Sequence, residues 1–199
     1  MVNNQVKQGL WTKDFTINFF AAFSLFVGFS SLLPILPMYV ETHLNLTGSA
    51  GIPLAALTLG AVFTRSLAGW ALDVYGRKIV LFIGLLVFLI TATTFIAMLP
   101  AVLLFFFRFI QGTGWGLANT GFSTLAADLA PRKRLGEAIG VYTISVTAAL
   151  GLGPLIGMRI IESSSFRVYF SVVSMLVVLS IILSSFIKVP VRKIEAGAE

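Results

Sequence analysis

A chain of 199 residues that is 57% hydrophobic and only 11% charged lacks the polar surface of a water-soluble domain, in which about a quarter of residues are charged. Its net charge of +6 would suit nucleic acid on a polar scaffold, but on one this apolar Lys and Arg collect at the rim of a bilayer, so no nucleic-acid partner is expected. Cysteine is absent, which excludes disulfide frameworks and thiolate metal or redox sites.

A helix needs about 20 mostly apolar residues to cross a hydrocarbon core of roughly 30 Å. Apolar runs separated by short polar interruptions predict spans at 15–40, 49–72, 79–99, 101–127, 136–161 and 167–187. The connections are Glu41 to Gly48, Asp73 to Lys78, Pro100, Pro131 to Leu135, and Glu162 to Phe166. They are short enough to make neighbours antiparallel.

Span one is too long for a signal-peptide core and lacks a small-residue cleavage site, so it reads as a retained span. It ends in Pro34, Pro37 and Tyr39, just after Ser30 and Ser31. The single histidine, His43, falls in the following loop, where a solvated role is expected. Span two closes on GWALDVYGRK, with Gly69, Asp73, Gly76, Arg77 and Lys78, and with Arg65 two turns earlier. A carboxylate at a helix end beside a glycine turn and two cations forms a cluster that can be made or broken when helices rock.

Span three, like span six, is almost wholly Leu, Ile, Val, Phe and Met with a few hydroxyls. Hydroxyls can bond back to their own helix, so both spans are expected as outer, lipid-contacting staves. Span four differs: Arg108, Gln111, Trp115 and Asn119 project within a sector of roughly 80° at about 100° per residue. That stripe must face protein or water, because a guanidinium roughly 10 Å below the helix end is costly to bury without a partner. Gly112 and Gly116 are expected to serve close helix contact. The loop that follows holds Asp128, Pro131, Arg132, Lys133, Arg134, Gly136 and Glu137, whose charges are read chiefly as topological.

Span five carries Ala149, Gly153, Pro154 and Gly157 in ALGLGPLIG. The four-residue spacing makes a small-residue stripe for close approach, and Pro154 removes a helix hydrogen bond, so a hinge is expected there. After span six come Lys188, Arg192 and Lys193. With Lys7, Lys13, Arg77, Lys78 and Arg132 to Arg134 they fall on one side of a six-span bundle, against Arg159 and Arg167 on the other. Both termini are therefore expected on the cytoplasmic side of a cell membrane. The expected division is a cytoplasmic segment at 1–14, a transmembrane domain at 15–187, and a cytoplasmic tail or linker at 188–199.

These motifs resemble those of the major facilitator superfamily. The span-two stretch is similar to its G-x-x-x-D-x-x-G-R-K loop, the span-four stretch RFIQGTGWG to its R-F-x-Q-G-x-G, and the span-five stretch to the G-P-x-x-G-G of its drug and proton antiporters. Met158 stands where the last glycine of that pattern would be. The resemblance covers essentially the whole chain and implies an all-α six-helix bundle, one half of a twelve-helix fold. It implies a latch at Arg65, Gly69, Asp73, Gly76, Arg77 and Lys78 that acts against a second half. It also implies a coupling and cavity stripe at Arg108, Gln111, Trp115 and Asn119.

The implied activity is proton-coupled export of small amphipathic compounds, with uptake of a metabolite or a non-transporting module as alternatives. The implied partners are a small-molecule substrate, protons, lipid, and either a missing half or a second copy. The chain is expected to be a fragment or half of a longer transporter. No internal repeat is legible, and no carboxylate lies at mid-span, so a titrating carrier is expected on the partner half. An intramembrane enzyme would need a nucleophile with a base, or metal ligands, within the spans, and none is legible; no cofactor, metal or catalysis is expected.

Overall fold

The computed structural model describes residues 9–188, so the expectations for Lys7, Arg192 and Lys193 and for most of the two terminal segments lie outside the described residues. Six α-helices follow in order: α1 Lys13–Thr42, α2 Ile52–Tyr75, α3 Arg77–Thr94, α4 Ala101–Asp128, α5 Leu135–Ser163 and α6 Phe166–Ser185. Short 3-10 turns at Phe95–Ala97 and Arg132–Arg134 extend the connections. Each helix start has a local cause. Thr12 Oγ1 accepts from the Phe15 amide at the head of α1 and Ser165 caps α6 through the Val168 amide, both meeting the need of unpaired first-turn groups, while Pro100 precedes α4 without a side-chain cap bond.

The apolar runs are long enough to cross a bilayer in five unbroken helices. α2 makes a sixth crossing if its two segments, Ile52–Arg65 and Leu67–Tyr75, form one span. The expected loop from Asp73 to Lys78 shrinks to one residue: α2 continues through Tyr75 and α3 begins at Arg77. Gly76 alone makes the reversal, at φ +87°, a conformation open to glycine because it lacks a Cβ. Neither Pro34 and Pro37 in α1 nor Pro154 in α5 ends its helix.

Two helices form the centre. α1 packs between α5 and α6, α4 packs between α2 and α3, and α3 meets α6 to join the trios. Exchanging the first three helices for the last three leaves this pattern of neighbours unchanged. The structure thus contains a threefold-plus-threefold helix repeat that the residues do not display.

Hydrophobic burial cannot drive helices together inside lipid, so close packing and polar seams must do it. At the α2–α4 crossing, a Cβ on Gly60 would strike the Phe109 carbonyl, and one on Gly112 would strike the Leu57 carbonyl. Between α3 and α4 a Cβ on Gly114 would lie 2.8 Å from the Gly84 oxygen. α1 is sewn to its neighbours by side-chain bonds to backbone carbonyls. Ser24 donates to Leu176 at 2.8 Å while Ser180 donates back to Ala21 at 2.8 Å. Ser30 donates to Ala149 at 2.8 Å, Ser145 to Phe19 at 3.2 Å, and Asn18 to Phe122 at 3.3 Å.

α3 and α6 each bury one face and expose another, through Ile79, Ile83, Leu86 and Ile90 in one and Met175, Leu179 and Ile182 in the other. α5 is the least buried span of the five unbroken ones, and α2 exposes Leu59, Val62, Phe63, Leu67 and Trp70. The open surface therefore extends well beyond the two expected staves.

Substituting Gly112→Leu should lower stability by at least about 1–3 kcal/mol, because the added atoms meet α2 backbone that cannot rotate away. Gly140→Ala, where a Cβ meets nothing within 4 Å, should be neutral or stabilising. Thermal unfolding in detergent separates the two; equal midpoints would contradict the crossing.

Candidate functional site

The basic end of the bundle is one connected junction. Arg77, first residue of α3, sends Nε to Asp128 Oδ2 at 2.9 Å at the end of α4, and Nη1 to Asp73 Oδ1 at 3.7 Å. A further contact reaches the Leu72 carbonyl at 3.5 Å. The carboxylates differ in setting: the Asp128 side chain is 14% exposed and that of Asp73 is 78% exposed. The shorter, drier pair holds the turn, and Asp73 is presented to whatever lies beyond it.

Lys78 turns the other way. Its Nζ donates to the carbonyls of Ser185 at 2.9 Å and Ile187 at 2.8 Å, capping the last turn of α6 with a cation where the helix dipole favours one. The Lys188 amide donates to Asp14 Oδ1 at 2.9 Å, so the starts of α1 and α3 grip the end of α6.

Of the residues expected in one cluster, the structure brings together Asp73, Gly76 and Arg77. Lys78 serves α6. Arg65 stands apart, exposed on α2, and around Gly69 a Cβ would meet nothing within 4 Å. Asp128, read from sequence as a topological charge, is the main partner of Arg77. A signal for it existed: both residues sit at helix ends on the same side of the bundle.

The α4 stripe faces inward, and further inward than expected. Arg108, Gln111 and Trp115 are buried within this bundle, not ranged along an open cleft, and Arg108 is only 1% exposed. Arg108 Nη1 donates to Gln111 Oε1 one turn on, and Tyr169 of α6 lies within its electrostatic reach. The Tyr169 hydroxyl shares a 2.8 Å bond with Ser31 Oγ.

Trp115 stacks on Phe29 with centroids 3.5 Å apart and planes within 10°, with Phe26 edge-on at 4.6 Å and Phe88 at 6.2 Å. Asn119, half-buried, accepts from the Tyr142 hydroxyl at 3.3 Å. The stripe thus joins α4 to α1, α5 and α6. Tyr142 and Tyr169 went unnoticed in the sequence because one hydroxyl on an apolar run carries no periodic signal.

The small residues of α5 meet α1 as their spacing implies. A Cβ on Gly153 would lie 2.7 Å from the Val27 carbonyl and one on Gly157 would lie 3.1 Å from Ser31 Cβ, while the Ala149 carbonyl takes the Ser30 bond. Pro154 is half-buried in an unbroken helix. Gly116 faces the Ala61 carbonyl at 3.2 Å.

A double-mutant cycle on Arg77→Ala and Asp128→Asn should give a coupling of about 1 kcal/mol that weakens in high salt, whereas Arg77 with Asp73→Asn should give only a few tenths. Unfolding midpoints in detergent measure both; the reverse ranking would displace Asp128 from the junction.

Comparison with known proteins follows the same lines. Residues 19–199 match the Major Facilitator Superfamily. Quinolone resistance protein NorA of Staphylococcus aureus is 30% identical over 173 residues, covering 86% of this chain and 44% of NorA. Multidrug resistance protein 1 of Bacillus subtilis is 28% identical over 149 residues, covering 74% of this chain and 38% of that protein. The chain spans less than half the length of these curated relatives. Among solved structures, a D-xylose–proton symporter superposes with a TM-score of 0.70 over 89% of this chain and 49% of its own. At 18% identity that likeness speaks to the fold alone.

Proposed function

The chain belongs to the Major Facilitator Superfamily, and from that premise we propose that it forms one six-helix half of a secondary transporter exporting small amphipathic, drug-like compounds in exchange for protons. The observation that carries the two-bundle reading is the open face of α2. Arg65 lies exposed on it, ten residues from Tyr75 and among exposed Leu59, Val62 and Phe63. At about 1.5 Å per residue this is roughly 15 Å from the helix end, a depth at which a guanidinium is not left to acyl chains. A second protein surface or a watery cleft covers it, as in carriers that hold substrate between two bundles. The drug-like substrate class is supported by the kinship with quinolone and multidrug resistance proteins.

In this reading residues 15–187 are the transmembrane unit, the second bundle is either further polypeptide or a second copy, and the basic end faces the cytoplasm with both termini. Lys13, Arg77, Lys78, Arg132, Lys133, Arg134 and Lys188 gather there against Arg159 and Arg167 opposite, which is the asymmetry of positive-inside insertion. Asp73 engages the second bundle in one conformation and releases it in the other, while Arg77 and Asp128 keep the turn in place. The Arg108 stripe takes part in coupling, and the α1–α5 contact at Gly153 and Pro154 flexes as the bundles rock. The described carboxylates all lie at helix ends, so the proton carrier belongs to the second bundle.

Proteoliposomes holding the complete two-bundle carrier should move a cationic dye in step with an imposed pH gradient and stop when a protonophore collapses it. Asp73→Asn should slow turnover roughly tenfold, the effect of biasing the conformational equilibrium by about 1.4 kcal/mol. Dye movement indifferent to the gradient would remove the proton coupling, and parental kinetics in Asp73→Asn would remove the latch.

A further inference from the structure

Arg108 is a large, fully buried cation whose charge has no counterpart at its depth among the described residues. It lies seven residues from the start of α4 and twenty from Asp128 at its end, about 10 Å and 30 Å along the axis. Asp14, Glu41, Asp73, Glu137 and Glu162 likewise sit in the first or last turns of their helices. Among the described residues its side chain donates to Gln111 Oε1, and a neutral amide solvates a cation without cancelling its charge. A guanidinium sealed in an apolar medium needs an anion for that.

Two donors beside it have no partner. Arg108 Nε and Gln111 Nε2 are both buried and unbonded. Each is one carbon removed from an atom of the Arg108–Gln111 bond, Nε from Nη1 and Nε2 from Oε1, so both lie close beside that one bond. The Tyr169 hydroxyl, within electrostatic reach of the guanidinium, bonds Ser31 Oγ, whose own proton goes to the Gly28 carbonyl. None of these groups is negative, and the free donors among them are Arg108 Nε and Gln111 Nε2. Buried unpaired donors are rare because each costs a lost hydrogen bond, and one on an uncompensated cation, with a second beside it, makes the donor set of an anion site.

We propose that Arg108 and Gln111 hold a small monovalent anion, of halide or formate size, as an internal counter-ion within the six-helix unit. The site stands on the closed geometry of this bundle alone and survives even if the chain takes part in no transport. A bound anion replaces the missing internal carboxylate.

The test is thermal unfolding of the purified full chain in detergent, with sodium chloride or sodium formate exchanged for sodium gluconate at constant ionic strength. Binding to the native state alone should give a saturable rise in midpoint of roughly 2–4 °C. A response to chloride identifies a halide, and a response to formate alone identifies a carboxylate; either supports the site. Gln111→Glu supplies a covalent counter-charge beside Arg108 and should abolish the response. Midpoints indifferent to chloride and formate would overturn the proposal, as would a response in Gln111→Glu equal to that of the parent. Should that variant not fold, crystals of the parent grown in bromide decide the matter: an anomalous peak within hydrogen-bond distance of Arg108 Nε supports the site, and its absence there overturns it.

Discussion

Backbone must approach backbone closely for this bundle to hold, because lipid tails are as apolar as the helices and squeeze nothing together. The α2–α4 crossing shows how tight the approach is: the positions of Gly60 and Gly112 leave no room for a single added carbon beside the facing carbonyls. The α1–α5 crossing repeats the solution at Gly153, with Ser30 and Ser145 adding hydrogen bonds across the same contact. Both central helices depend on it, and the third and sixth helices then pack where those two leave surface.

The same medium dictates how polarity is handled. A hydroxyl inside a span needs an acceptor, and in α1 and α6 the acceptors are carbonyls of the neighbouring helix: Ser24 with Leu176 and Ser180 with Ala21 form a reciprocal seam. Such bonds are individually modest, about 1 kcal/mol, but they point in both directions and so set the helix register as well as the contact. Charge is harder to settle. At the helix ends Arg77 finds Asp128 and Lys78 finds the terminal carbonyls of α6; in the interior Arg108 finds only an amide.

The open faces follow from the exchange symmetry of the two trios. α2 and α5 flank the central helices in equivalent positions, and each turns an apolar surface outward. On α2 that surface contains the exposed cation Arg65, on which the proposed two-bundle reading rests.

Much of this was legible in the residues. Six apolar runs of spanning length, separated by short polar breaks, point to a six-helix membrane bundle, since unbroken apolar runs of about 20 residues satisfy their backbone inside lipid as helices. The alternation of Lys and Arg orders its ends, and the spacing of Gly153 and Gly157 marks a contact face before any partner is known. Tertiary structure alone decided which helices are central, because neighbour choice depends on shape matching between distant segments. It revealed the repeat of two trios, which is carried by backbone geometry and not by side-chain identity. It also moved Asp128 from a loop charge to the partner of Arg77, and placed Arg108 in the interior of its own bundle. A periodicity of 100° per residue says which side a residue takes on its helix, while the distance and burial of what it meets there are properties of the packed whole.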